Sequence, residues 1–336
     1  MPEETPKEII DPGEVRFYSG SSNPQLATKI ADYLNVPLDE THIRRFSNDC
    51  LYIQLDASVR SRTVFILQSL SPPVNDHLME LLMMLDIAKS AAAQEINAII
   101  PYYSFARSDK KDASRISITG RLVADLLKTA GATHVMTMVL HSPQVHGFFS
   151  VPTDPLNSQP AFRRHFQQYD LSNTIVISPD MGQAKSAAIF AKKMGLPVAA
   201  SNKERISDTE VRISGIVGHQ VRGRKHALIY DDEIATGSSV LELIRILVEK
   251  DVQEIWVVCT HGLFVNDGLE KLTAVPQVTE IVTTDTVHIS DKDKEKHPKL
   301  HTISVAPVFG EAIRRNYLRQ SIGNLFVYGR EPVEIE

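Results

Sequence analysis

Short apolar, β-branched runs alternate along this chain with windows whose apolar positions recur at helical spacing. The runs fall at 63–68, 96–102, 134–140, 174–178, 226–230, 254–260, 280–284 and 302–306, and they predict strands. The windows fall at 24–34, 76–89, 119–129, 184–194, 239–249 and 310–319, and they predict helices. Most of the strands are unbroken apolar runs, which suits strands buried on both faces of a parallel sheet. The alternation as a whole predicts an α/β fold in which mainly parallel sheets are flanked by helices.

The pattern restarts near residue 155, and 336 residues exceed one average domain. A stretch rich in Pro, Asn and Ser at 151–160 is the expected boundary. The expected division is a tail at 1–14, a first domain at 15–155, a second at 156–311, and a segment at 312–336 that packs back on the first. No internal sequence repeat accompanies it. The polar run 290–299 reads as an exposed loop.

Composition narrows the function. The formal net charge is −5 and no basic run reaches six residues, which argues against a nucleic-acid partner. No stretch approaches the ~20 apolar residues of a membrane span, and the first ten residues have no apolar signal core. The two cysteines, Cys50 and Cys259, form neither a disulfide framework nor a zinc spacing. The expected location is the cytoplasm.

One string stands out, from Lys225 to Val240. An apolar strand ends in Asp231 and Asp232. The small-residue loop Ala235, Thr236, Gly237, Ser238 and Ser239 follows, and then an amphipathic helix. A helix start exposes unpaired N–H groups and partial positive charge, and small residues let a phosphate approach them. Asp231 and Asp232 have the oxygens to hold sugar hydroxyls, a magnesium ion, or both. The plain structural reading is an acidic strand end followed by a serine helix cap. The order strand, acids, small loop, helix favours a ribose-phosphate site.

That string resembles the ribose 5-phosphate loop of the phosphoribosyltransferase superfamily. Other segments resemble the PRPP synthetases within it: Arg45 to Asn48, Ser58 to Arg60, Asn75 to Leu81, Pro101 to Arg115, Thr137 to His141 and Gln144 to Phe149 in the first half. In the second half these are Ser178 to Gly182, Lys203 to Arg205, Thr260 to Gly262, Thr284 to Thr286 and Glu311 to Arg315. The motifs keep the family's order from about Val15 to Phe326. The resemblance implies two phosphoribosyltransferase-like domains. It also implies transfer of diphosphate from Mg-ATP to the anomeric hydroxyl of ribose 5-phosphate.

The resemblance further implies roles. Lys203 and Arg205 are the expected catalytic pair, and Asp231, Asp232, Ala235, Thr236, Gly237, Ser238 and Ser239 the expected ribose 5-phosphate site. Phe46, Asn48, Arg107, Ser108 and Asp112 are expected at the nucleotide, and His141 and Asp180 at Mg2+. Phe46 and Asn48 match a loop that reaches a neighbouring subunit's nucleotide site, so a homo-oligomer is expected. Taken alone, His141 reads as a turn histidine, Asp180 as a helix cap, and the charges of 107–115 as a solvated face.

Several positions depart from the family pattern. Cys50 stands where a glutamate is common, Ser108 for a glutamine, Val139 for an aspartate, Gln183 for a glycine, Ala235 for an aspartate and Ser238 for a glycine. The expectation is an enzyme with altered nucleotide or pentose-phosphate preference. The alternatives are a non-catalytic associated homologue and a phosphoribosyltransferase that consumes PRPP.

Overall fold

The computed structural model describes residues 10–205, 211–218 and 221–326. The chain forms two compact units. The first comprises the residues up to Asn157, Thr286–His288 and those from Ser304 onward; the second comprises Ser158–Asp285 and Ile289–Ile303.

The first unit is built from β1 (Val15–Ser19), α1 (Pro24–Leu34), β2 (Thr41–Arg45), β3 (Leu51–Leu55), β4 (Thr63–Leu67), α2 (Val74–Ser90), β5 (Glu95–Ile100), α3 (Thr119–Ala130), β6 (His134–Met138) and β7 (Thr153–Leu156). β1, β4, β5, β6 and β7 form a parallel sheet in that order, while β2 and β3 pair apart as a hairpin. Alternation along β4 splits the core. Phe65 and Leu67 join Leu26 and Ile30 of α1 on one face, and Val64 and Ile66 join Leu81, Met84 and Leu85 of α2 and Val123 and Leu127 of α3 on the other. Each such buried side chain contributes roughly 1.5–3 kcal/mol.

The 151–160 stretch holds more order than a linker. β7 closes the sheet there, with Thr153 to Leu156 registered against Val135 to Met138. Its Pro155 is tolerated because β7 is an edge strand and needs no outward donor.

The second unit contains α4 (Gln159–Phe166), β8 (Thr174–Ser178), α5 (Ala184–Met194), β9 (Val198–Arg205), β10 (Val211–Gly218), β11 (His226–Ile234), α6 (Ser238–Val248), β12 (Glu254–Gly262), α7 (Gly268–Thr273), β13 (Val278–Thr284), α8 (Asp291–Lys296) and β14 (Leu300–Ile303). Its seven strands run β10-β9-β8-β11-β12-β13-β14, all parallel neighbours except β10 against β9. Val240, Leu243, Ile244 and Leu247 of α6 cover one face. Phe162 and Phe166 of α4 and Phe190 of α5 cover the other, where Phe190 stacks on Tyr230 at 4.7 Å between ring centres.

The strand order positions a site. From β8 the chain steps to β9, then returns past β8 to β11. The connections leave on opposite faces, so a crevice opens at the carboxyl ends of β8 and β11. Asp180 follows the first of these strands, and Asp231 and Asp232 lie in the carboxyl-terminal half of the second, which runs on to Ile234.

Three sequence expectations change. The run 290–299 carries the short helix α8, capped by Ser290, whose Oγ accepts the Asp293 N–H at 3.1 Å. The chain rejoins the first unit at Ser304, and α9 (Ala306–Tyr317) begins before the expected 310, because Pro307 fits a first helical turn. The expected strand 302–306 is therefore cut to Leu300–Ile303. Phe309, Ala312 and Ile313 of α9 bury against α1.

Candidate active site

The second unit carries the sugar-phosphate candidate. Gly237 adopts the left-handed conformation (φ 76°) and caps α6 without a side chain of its own. No N-cap side chain takes the N–H groups of α6, and only its first, that of Ser238, makes a long bond to Thr236 Oγ1 at 3.4 Å. Thr236 Oγ1 and Ser238 Oγ lie 2.9 Å apart, which clusters hydroxyls over that helix start. Ala235, Thr236, Ser238 and Ser239 are all partly exposed, so the loop is open to a ligand.

Asp232 is buried and its N–H donates to Asp231 Oδ1 at 2.9 Å. The Asp231 carboxyl is held well above its ordinary value, first by burial and then by the negative charges of Asp232 and Asp180. Three carboxylates thus act on one another at the switch point. Asp180 also has a local role: its Oδ1 accepts the Gln183 N–H at 3.1 Å just before α5. Asp180 is thus not the helix cap expected from sequence: the N-cap position of α5 is Gln183, and Asp180 shapes the turn ahead of it. Ser201 on β9 donates its hydroxyl to the Pro179 carbonyl and so ties β9 to the Asp180 turn.

Lys203 and Arg205 lie at the end of β9, their backbones registered against Ile213 and Val211 of β10. Residues 206–210, which follow them, lie outside the described residues.

The first unit holds the remaining expected residues at the carboxyl ends of β5 and β6 and on the β2–β3 hairpin. Arg107, Lys110, Lys111 and Asp112 are exposed. Ser108 has a local role: its hydroxyl donates to the Ser117 carbonyl at 3.2 Å and accepts the Thr119 N–H at 3.1 Å. It closes the 108–119 loop at the start of α3. Asp109, which sequence reasoning left without a role, accepts from Ser142 Oγ at 2.5 Å, joining this loop to the turn that carries His141. His141 is partly exposed, and Val139 before it has φ 39°, an uncommon state for a β-branched residue.

At the hairpin tip Phe46 is 50% exposed. The Arg44 guanidinium lies 4.1 Å from the Tyr52 ring centre and 5.7 Å from that of Phe46. This is an aromatic and cationic surface suited to stacking. Asn48 spends its Oδ1 on the Cys50 N–H at 3.2 Å, shaping the turn. Arg45 anchors the hairpin to Asp76 of α2 at 2.8 Å.

Comparison with known proteins decides the family. The chain is 44% identical to the ribose-phosphate pyrophosphokinase of Deinococcus radiodurans over 312 residues, 92% of this chain and 97% of that one. It is 50% identical, over 93% of its length and 98% of the relative's, to a Streptomyces coelicolor protein provisionally given the same name. The chain belongs to the ribose-phosphate pyrophosphokinase family. Residues 15–131 match the N-terminal domain of ribose phosphate pyrophosphokinase, and residues 209–327 match the phosphoribosyl synthetase-associated domain. The fold agrees with the crystal structure of the Mycobacterium smegmatis phosphoribosylpyrophosphate synthetase, with TM-score 0.84 and 32% identity over 91% of this chain and 99% of that one.

A magnesium ion fits the donor chemistry of this family member. Among the described residues no three His, Cys, Asp or Glu side chains are grouped to hold a metal by themselves. Magnesium is commonly held by one or two carboxylates, with waters and substrate phosphates completing its shell. Burial and then the neighbouring negative charges raise the Asp231 carboxyl, and a divalent cation beside it would offset those charges.

Proposed function

We propose that this chain transfers the diphosphoryl group of Mg-ATP to the anomeric hydroxyl of ribose 5-phosphate, giving PRPP and AMP. The anomeric oxygen attacks the β-phosphorus, the bond from that phosphorus to the α-side bridging oxygen breaks, AMP leaves, and the hydroxyl proton goes to solvent. The observation that carries this reading is the arrangement at the end of β11: two carboxylates, a small hydroxyl-rich loop and an open helix start in sequence.

In this reading the sugar 5-phosphate takes N–H and hydroxyl donors from Thr236 to Ser239. Asp231 and Asp232 accept from the ribose hydroxyls. Asp180 with the β11 carboxylates would hold Mg2+, which supplies charge neutralisation on the phosphates, and His141 of the first unit is proposed separately as a metal-linked residue. Phe46, Asn48 and Arg107, with Asp112, serve the nucleotide, and Ser108 serves by closing the Arg107 loop. Phe46 would do so for a neighbouring copy in a homo-oligomer. Lys203 and Arg205 stabilise the diphosphoryl group in flight. Full-length relatives named as pyrophosphokinases make the non-catalytic reading the less favoured one.

The test is the purified chain alone with Mg-ATP and ribose 5-phosphate, followed by phosphorus NMR. Formation of AMP and PRPP in equal amounts is expected; no AMP under any pentose phosphate would return the chain to the non-catalytic class. A panel of nucleotides and pentose phosphates reads the preference that Cys50 and Ser108 call into question. ATP and ribose 5-phosphate winning by a wide margin would end the altered-preference idea.

A further inference from the structure

The segment after β12 touches the sugar-phosphate loop at three points. The N–H groups of Leu263 and Phe264 both donate to the carbonyl of Ile234, the last residue of β11, at 2.9 and 3.2 Å. Gly268, at the start of α7, lies directly against the next two residues. A Cβ built on Gly268 would stand 2.8 Å from the Thr236 carbonyl oxygen, 3.0 Å from its carbon and 3.2 Å from the Ala235 oxygen. The third point is Leu272 of α7, whose Cδ1 lies 3.2 Å from the Cβ position of Gly237. Leu272 is itself fully buried.

The segment is held in a conformation that a plain connector would not adopt. Phe264, Asn266 and Asp267 all have positive φ, at 47°, 54° and 59°. Asn and Asp tolerate that region, but an aromatic residue there is held by its surroundings. The two bonds to Ile234, the Gly268 N–H to Val265 carbonyl bond at 3.1 Å, and the Lys271 ammonium on the Asn266 carbonyl at 2.9 Å supply the hold.

We propose that residues 263–272 form a fixed seat that sets the position of the phosphate loop, and that Gly268 is its positioning residue. This rests on the sugar-phosphate reading of that loop. Gly268 touches no substrate in this account. Its missing side chain lets the backbone of α7 abut the carbonyl groups of Thr236 and Ala235, and any Cβ must push them away, because the atoms it meets are backbone. The loop's donors then move by a few tenths of an ångström from where the phosphate needs them.

The experiment uses the full chain with Gly268→Ala, with Thr236→Val as the reference inside the loop. Ribose 5-phosphate and a non-hydrolysable ATP analogue are titrated separately by calorimetry, and thermal unfolding is recorded. Displacement of this size is expected to weaken ribose 5-phosphate binding about tenfold in Gly268→Ala. Nucleotide affinity should change less than about twofold, a split that general destabilisation would not produce. If Thr236→Val weakens sugar binding and Gly268→Ala does not, the seat is overturned while the loop keeps its ligand. If neither variant changes it, both the seat and the loop assignment fall. Should Gly268→Ala not fold, Leu272→Val shortens the contact under Gly237. An unchanged ribose 5-phosphate affinity in that variant overturns the proposal, and a selective loss of about threefold supports it.

Discussion

Replacing Asp231 with asparagine should weaken the enzyme's grip on its sugar and strengthen its fold at the same time. Asparagine keeps the Oδ1 acceptor that holds the Asp232 N–H at 2.9 Å, so the local turn survives. What disappears is a negative charge that burial, Asp232 and Asp180 all disfavour. Two like charges about 5–10 Å apart repel by roughly 2–3 kcal/mol at an effective dielectric near 20, which sets the scale of the gain. For a unit of this size each kcal/mol raises the unfolding temperature by about 2–4 °C. The pH dependence has a definite sign. A carboxyl whose folded-state value is raised binds more protons folded than unfolded, so wild-type stability falls as pH rises from 3.8 through the folded-state value. The advantage of Asp231→Asn therefore grows across that window and is complete above it.

The binding effect runs the other way. A hydrogen bond to a charged group contributes about 1.5–3 kcal/mol, so ribose 5-phosphate affinity in the presence of magnesium should drop about 10- to 150-fold. Calorimetry for the sugar and thermal unfolding at pH 5 and 7.5 read both effects. A variant that binds the sugar as tightly as the parent removes Asp231 from the site. One less stable than the parent at neutral pH shows that the carboxylate repulsion is not present.

Three further outcomes follow from other residues. Lys203→Ala should lower kcat far more than it raises either KM, because its contact is proposed to tighten only as the diphosphoryl group moves; steady-state kinetics showing an effect on KM alone would count against that role. Glu80→Ala should destabilise the first unit by about 1–3 kcal/mol in denaturant titration, since buried Glu80 accepts from the buried Gln68 Nε2 as well as from exposed Ser21, and losing it strands the Gln68 donor; a change below about 0.5 kcal/mol would refute that accounting. Burial works to raise the Glu280 carboxyl, but the hydrogen bonds from His165 (3.1 Å) and Tyr169 (2.9 Å), together with the charges of His165 and His301, outweigh it and hold the carboxyl below its ordinary 4.5. Its stabilising contribution is thus present above 4.5 and lost as pH falls through the lower folded value. The stability difference between wild type and Glu280→Gln should accordingly shrink on acidification, and a difference that widens would be wrong in sign.

The parts of the fold that the pattern predicts well are those buried on both faces. β8 (Thr174–Ser178) and α5 (Ala184–Met194) fall at the expected positions, because an unbroken apolar run or a clear helical stripe leaves one solution. Half-exposed elements escaped. β2 and β3 mix Ile43 and Ile53 with arginine, histidine and glutamine, and pair as a local hairpin outside the main sheets. α4 begins under Gln159 and Pro160, where the proline reads as a linker although it suits a first helical turn.

The site divides the same way. The run from Asp231 to Ser239 is contiguous, so its chemistry is visible in order. The contact of Gly268 with Thr236 joins residues far apart in sequence, and only tertiary structure brings them together. Ser108 and Asp109 show the limit of reading charge and polarity alone: one polar side chain closes its own loop, and the neighbouring acid holds the His141 turn. In sequence Val139 stands out for the charge it lacks, whereas its left-handed backbone is visible only in three dimensions.

The central claim is that a pentose phosphate docks where β11 gives way to α6. A crystal of this protein soaked with ribose 5-phosphate and magnesium tests it most directly. The phosphate should lie on the hydroxyls and N–H groups of Thr236 to Ser239, with the ribose hydroxyls on Asp231 and Asp232. Density for the sugar elsewhere, with that loop vacant or closed by its own side chains, would contradict it.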